Sequence, residues 1–410
     1  MSVNTRNERI FEIELSRWNP SGANLSAEIT LSATPYELAN ALEKARITDD
    51  TVYSTEVLSC QLNYLPQFIT PDANLHELNH LAHRLSSLSA WELDCFEMMD
   101  AVQFQYASIP VERLINMTHS MAHCQIAYEA HDDQSLGKFY ADIDFVPALE
   151  NVTDEVYAYL DFGKIGKEMR EGEGGVFTPH GYVVQNGEIA AEYHSGDALP
   201  IEKPDYAVLL RVTKGYFNDP AYYNDTAVFL KLPTGDAALL QAVDAVGAAS
   251  PEECVFSAED CMAPFLTEKI NDALYASEGD CYGLVNELSR QLQQLETETR
   301  LLIYKAMLEE APGDLSLEEA LDLVPMAAKF ELLADTVSAS EYAKKEIKQM
   351  LSFASDQGLH KFCDLDNYGR YLLEQRGAVE TDYGFLMPQS GMTVEQCLNR
   401  PGQSFGMEMK

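Results

Sequence analysis

The sequence predicts an α+β fold: an elongated multi-lobe chain with two repeats, each a small β-hairpin and helix lobe, a helical lobe and an acidic helix-turn-strand segment. Three observations predict it. A gapless internal match runs at long range, β-type alternation opens each half, and capped stretches with helical apolar spacing fill the middle.

The match sets the architecture. Residues 161–183, DFGKIGKEMREGEGGVFTPHGYV, align on 364–386, DLDNYGRYLLEQRGAVETDYGFL, at a constant offset of 203 with seven identities. These pair Asp161 with Asp364, Gly166 with Gly369, Glu171 with Glu374, Gly174 with Gly377, Val176 with Val379, Thr178 with Thr381 and Gly181 with Gly384. Upstream, LNHLAHRLSSL (78–88) matches VNELSRQLQQL (285–295), so Leu81, Leu85 and Leu88 correspond to Leu288, Leu292 and Leu295 at helical core spacing. VERLINM (111–117) then pairs with LEEALDL (317–323), in the same order along the chain.

Each half opens on strands. Phe11, Ile13 and Leu15 alternate with Glu12 and Glu14, and Leu25, Ala27, Ile29 and Leu31 alternate with Ser26, Glu28 and Thr30, the pattern of half-buried strands. Asn19-Pro20-Ser21-Gly22 between them is a turn signal, which predicts a hairpin. YAVLLRVT (206–213) and TAVFLKL (226–232) repeat the pattern around an aromatic, Pro-containing loop. Thr34-Pro35-Tyr36-Glu37 predicts a helix start, with Thr as N-cap, Pro in the first turn and Glu returning the capping bond. Leu38, Ala41, Leu42 and Ala45 are its expected buried face, and Ser89 with Glu92 and Ser316 with Glu319 open two further helices. Gly174, Gly175 and Gly181 fall where a helix stops and a strand begins, which calls for positive φ or a tight turn.

These signals place a first unit at 1–187, made of a β/α lobe at 8–66, a helical lobe at 72–131 and an acidic segment at 132–187. A linker follows at 188–204, where periodicity lapses and Gly, Pro and Ser collect; a second unit spans 205–388 and a C-terminal tail 389–410.

With 28 basic and 66 acidic residues the formal charge is −38, which argues against direct nucleic-acid binding, because proteins bind that polyanion by neutralising its phosphates. A hydrophobic fraction of 46% places this acid on folded surfaces rather than in a disordered tail. Solubility alone also explains a high charge. The N-terminus, MSVNTRNERIFEIEL, has no apolar run of signal-peptide length, and no later stretch is long enough to span a bilayer, so the cytoplasm is the expected compartment without membrane contact. Eight scattered cysteines, with no CxxC pair, read as reduced and mostly buried thiols.

The helical stretch HELNHLAHRLSSLSAWELDCFEMMDAV (76–102), followed by the segment ending DFGKIGKEMREGEGGVFTPHGYV, resembles the ArdA-type antirestriction proteins. The shared features fall on Asp161, Phe162, Gly166, Lys167, Gly174, Phe177, Thr178, Gly181, Tyr182 and Val183, and in the second half on Asp364, Gly369, Arg370, Gly377, Thr381, Gly384 and Phe385. The resemblance covers about 100 residues per half and the β lobes only loosely. It implies an elongated, acidic inhibitor carried on mobile elements, with no catalysis and no cofactor. Such a protein occupies the basic DNA-binding groove of type I restriction-modification enzymes or related DNA-processing enzymes. Two departures stand out: this chain holds two copies where one is usual, and Glu380 stands where Phe177 does. Two copies in one chain leave a homodimer and an intrachain pseudo-dimer as alternatives.

In a mimic, carboxylates stand in for phosphates. The candidates are Asp132, Asp133, Asp142, Asp144, Glu150, Asp154, Glu155, Asp161, Glu168, Glu171 and Glu173 in the first half. In the second half they are Glu309, Glu310, Asp314, Glu318, Glu319, Asp322, Asp364, Asp366 and Glu374, with Glu296, Glu298 and Asp335 also in reach. Acids three or four apart on a helix lie about 5–6 Å from each other and repel, at a few tenths of a kcal/mol per pair. For any single residue a solvated helix face is the plainer explanation. An acidic scaffold or regulator of a mobile genetic element, without mimicry, is the rival reading.

Other chemistry finds little purchase. His119 and His123 are four apart with Cys124 adjacent, and His76, His80 and His83 form a second row, but no further ligand has defining spacing, so no metal is expected. GEGG (172–175) lacks the Lys-Ser or Lys-Thr of a phosphate loop and follows a helix. No Ser, His and Asp set has a recognisable context, and Trp91 is expected to pack in the helical lobe rather than stack on a base.

Overall fold

A computed structural model describes residues 9–18, 25–48, 50–103, 109–150, 152–197, 199, 204–215, 227–276, 281–295, 297–336, 338–350 and 362–398. The expected turn at 19–22, most of the loop at 214–226, part of the 188–204 linker and the tail beyond 398 lie outside them. The described chain is mixed α+β, with four three-stranded sheets and many helices. None of those helices is long and apolar enough to cross a membrane.

β1 (Phe11–Arg17), β2 (Leu25–Leu31) and β3 (Tyr53–Cys60) form a sheet of order β2-β1-β3. β4 (Cys124–Ala127), β5 (Val176–Thr178) and β6 (Gly181–Gln185) form one of order β4-β6-β5. β7 (Val208–Lys214), β8 (Val228–Leu232) and β9 (Cys254–Cys261) are arranged β8-β7-β9, and β10 (Phe330–Leu333), β11 (Val379–Thr381) and β12 (Gly384–Pro388) are arranged β10-β12-β11. The two predicted strand pairs, β1 with β2 and β7 with β8, are each completed by an unpredicted third strand, β3 or β9, and the single final strand expected in each acidic segment, β6 or β12, pairs on both sides. β4 and β10 are four residues long, too short for a period to register.

By contacts the chain divides into two compact units. One comprises Met1–Glu14, Thr30–Ala33 and Ser54–Ile201, and the other Leu15–Ile29, Thr34–Tyr53 and Glu202–Lys410. In the first unit, helix Leu75–Ser86 is capped by Asn74, which accepts from the His76 and Glu77 amides, and it buries Leu75, Leu78, Leu81 and Leu85 completely. Asn79 on the same helix clamps the Ala33 backbone in both directions, at 2.7 and 3.0 Å.

In the second unit, helix Cys281–Gln293 buries Val285, Leu288 and Leu292, and Asn286 clamps Thr234 in the same two-way fashion, at 2.9 and 2.9 Å. Its core joins these residues to Val208, Leu210 and Val212 of β7 and to Tyr304, Met307 and Leu323. The Thr34 capping box forms as predicted, and helix Pro35–Lys44 packs within this unit. Tyr383 Oη donates to Asn40 at 2.8 Å, Lys44 meets Asp382 at 2.6 Å, and the buried Lys305 ammonium meets Glu43 at 2.5 Å.

Buried Asp260 accepts from the Thr34 hydroxyl (2.6 Å), the Tyr206 hydroxyl (2.8 Å) and the Cys261 amide (3.0 Å). Burial pushes its pKa up, against these donors.

Candidate functional site

The acidic segment of the first unit is built on two helices in close contact. Helix Asp133–Asp142 starts at Asp132, whose carboxylate accepts from the Ser135 amide at 2.7 Å. Helix Phe162–Glu173 starts at Asp161, which accepts from the Lys164 amide at 3.2 Å. The helices cross at glycines: a Cβ on Gly137 would stand 1.8 Å from the Phe162 carbonyl oxygen, and one on Gly166 would stand 1.9 Å from the Asp133 carbonyl oxygen. Only hydrogen fits at either position. Gly174 then ends the second helix at φ 72°, and Gly181 opens β6 at φ 142°.

In the second unit, helices Ala339–Met350 and Leu365–Gln375 meet at a glycine on one side only: a Cβ on Gly369 would stand 1.8 Å from the Ala339 carbonyl oxygen, and helix Ala339–Met350 has no glycine. Asp364 caps the second helix by accepting from the Asn367 amide, Gly377 follows at φ 63° and Gly384 lies at φ 139°. The Thr178 hydroxyl donates to the Gly181 carbonyl at 2.9 Å, and the Thr381 hydroxyl to that of Gly384 at 2.7 Å. Strand register agrees as well, with Val176 opposite Val183 and Val379 opposite Leu386.

The twenty candidate carboxylates separate into classes by what the backbone gains from them. Asp132, Asp161 and Asp364 are N-caps, while Asp133, Asp154, Glu155, Glu318, Glu319 and Asp366 sit in first turns, where a helix favours negative charge. Their placement has a structural reason. Glu319 returns the Ser316 capping box at 3.0 Å, and Asp133 is engaged by Arg170 at 2.8 Å, a pairing that holds the Asp133 carboxyl below the usual carboxylate range.

A second class is not favoured by the dipole of its own helix. Asp142, Glu171, Glu173, Glu309, Glu310, Asp322 and Glu374 lie in the last turns of their helices, at the negative end of the macrodipole. Of these helices, only Phe162–Glu173 carries a cation in that turn, Arg170. Glu173 has local work, accepting from the hydroxyls of Tyr140 (2.7 Å) and Tyr182 (3.1 Å), whose pKa values rise through burial above all. Glu309 accepts from the Asp382 amide at 3.1 Å, and surrounding chain raises the pKa of both Glu309 and Glu310 although both side chains reach the surface. Asp142 accepts from the Tyr157 hydroxyl, and Glu171 lies 3.8 Å from Lys167 across one helical turn.

The remaining candidates are exposed: Glu168 in mid-helix, Asp144 at φ 57° in a turn, and Glu150 and Asp314 in loops. Asp335 is exposed as well, whereas Glu296 and the Glu298 side chain are outside the described residues.

The histidines do not assemble. His119 caps the end of helix Val111–Thr118 and His123 belongs to the following 3-10 turn, so the two do not share a helix face. His123 Nδ1 lies 2.9 Å from the Glu188 carbonyl oxygen and His83 Nε2 3.1 Å from that of Ala33. Among the described residues no three His, Cys, Asp or Glu side chains converge as a metal site requires. Four cysteines are buried and four half-buried, all as free thiols. Trp91 departs from expectation: it is 46% exposed, because its helix turns the buried faces of Cys95, Phe96 and Met99 inward instead.

Sequence reasoning also missed a polar strap. Beyond β6, residues 186–197 run without helix or strand yet are pinned to the first unit. Buried Asn116 accepts from the Glu192 and Tyr193 amides at 3.0 and 2.8 Å and donates to the Tyr193 carbonyl at 2.8 Å. Tyr193 is buried and donates to Glu77 at 2.9 Å. The signal was an Asn among the buried residues of its helix, readable only once its partners are in place. No protein-family model matches the chain, and no curated protein matches its sequence.

Proposed function

We propose that the protein is a non-enzymatic DNA mimic with antirestriction activity, which occupies the DNA-binding groove of a type I restriction-modification enzyme or related DNA-targeting enzyme. The observation that carries this reading is the placement of Asp142, Glu171, Glu309, Glu310, Asp322 and Glu374 at the negative ends of helices. Each such acid costs a helix about 0.3–1 kcal/mol where an uncharged residue would not. Solubility gains nothing from that choice of position, whereas a surface that must present fixed negative points does. The glycine-locked helix pairs supply the stiffness, and the two matching segments read as two copies of one presenting unit. A cytoplasmic site of action follows from a cytoplasmic target.

Competition measures this directly. The full chain should displace duplex DNA from a purified type I enzyme, with affinity falling steeply as salt rises and the Debye length shrinks below about 10 Å. Absence of binding at low salt would remove the reading. The acidic scaffold remains as the rival: it predicts a conjugation or regulatory protein as partner and no competition with DNA.

A further inference from the structure

The first unit places large apolar side chains in the open between its carboxylates. Ile143 is 51% exposed, Phe145 55%, Val156 53% and Tyr159 87%, all within the stretch that joins the two glycine-locked helices. The Tyr157 hydroxyl donates to Asp142, which ties the 142–145 turn to the short helix Asp154–Tyr157. Phe145 stacks on Tyr140 at 5.3 Å, so its ring is held rather than free. Asp142, Asp144, Asp154, Glu155 and Asp161 are interleaved with or flank these groups in sequence and are themselves exposed.

A polynucleotide surrogate that worked by charge alone would not need exposed aromatic and aliphatic groups, which cost solubility. A second copy of this chain is disfavoured as occupant, because it would bring like-charged rims together in a protein of net charge −38. The neighbouring charge selects a basic protein surface, and the apolar groups select what lies inside its basic rim.

We propose that Ile143, Phe145, Val156 and Tyr159 dock on an apolar shelf of a target protein whose Lys and Arg residues flank that shelf and meet the neighbouring acids. This rests on the mimicry reading for its target. It adds that recognition has a salt-independent part, which distinguishes a protein groove from a merely basic surface.

The test measures binding of the full-length chain to a purified type I restriction-modification enzyme over a salt series, with circular dichroism to verify folding. Tyr159→Asn and Val156→Ser change exposed side chains, and each should weaken binding about tenfold at every salt concentration with the salt slope unchanged. Asp154→Asn with Glu155→Gln should instead flatten the slope. Unchanged affinity in both apolar variants overturns the shelf while leaving mimicry intact. Loss of self-association with enzyme affinity kept, read by light scattering, assigns the face to a second copy and also overturns it. If the unaltered chain does not bind the enzyme at any salt, the mimicry reading fails and takes the shelf with it.

Discussion

The helix pair 133–142 and 162–173 and the helix pair 339–350 and 365–375 have several backbone features in common but not a chemistry. In the first, Arg170 bridges to Asp133 and lies 5.6 Å from the Phe177 ring. At the matching places the second has Leu373 and Ala339, within a cluster of Tyr342, Leu373 and Phe385, and Glu380 in place of Phe177. Tyr140 donates to Glu173 in the first pair, whereas Glu346 faces Arg376 at 3.5 Å in the second. The polar partners have been exchanged, in one case with the sign of the charge reversed, while the glycine contact, the N-cap and the two positive-φ glycines are common to both. The steric features recur, and the side chains around them differ.

Breaking the frame should cost most. Gly166→Ala and Gly369→Ala each press a methyl group against a carbonyl oxygen less than 2 Å away, so urea unfolding should show a loss of about 3 kcal/mol in either segment. A tolerated substitution in one segment only would end the equivalence. Charge comes next. Asp142→Asn with Glu168→Gln and Glu171→Gln in the first segment, or Glu310→Gln with Asp322→Asn and Glu374→Gln in the second unit, should weaken enzyme inhibition about tenfold per set, from three exposed charges at a few tenths to 1 kcal/mol each. Equal losses would show that both segments engage, and loss from one set alone would assign the contact.

Smaller still is the exchange of Arg170 and Asp133 for the Leu and Ala of the other segment. The double substitution should stay within about 1 kcal/mol of the original, with Arg170→Leu alone worse because Asp133 loses its partner. Acid resolves the smallest difference. The Asp133 pKa is depressed in the folded protein, so its contribution is complete above the ordinary carboxylate pKa of about 4 and is lost as pH falls through the depressed value. Amide exchange below pH 4 should loosen helix 133–142 before helix 339–350, which carries no such pair at the matching position.

Much of this frame was legible in the sequence because it is written in residue types with narrow uses. Thr34, Pro35 and Glu37 announce a capping box, Gly174 and Gly377 announce left-handed helix ends, and Leu81 and Leu85 repeat at helical spacing, although Leu88 of the same pattern falls beyond the helix that ends at Ser86. The short strands 124–127 and 330–333 were illegible because they are recruited by pairing with β6 and β12, not by a period of their own. The roles of the acids were only half legible. Sequence marked Asp161 and Asp142 alike, whereas the helix boundaries make one a cap and leave the other at the wrong pole of its helix.

The hydrogen-only contact at Gly166 and Gly369 carries a consequence for how such a protein changes over generations. One added methyl group there meets a carbonyl oxygen less than 2 Å away, while an exposed carboxylate can be replaced by its amide without a steric clash. Lineages descended from this chain would therefore keep these glycines, and a substitution scan read by stability would rank Gly166 and Gly369 above every exposed acid.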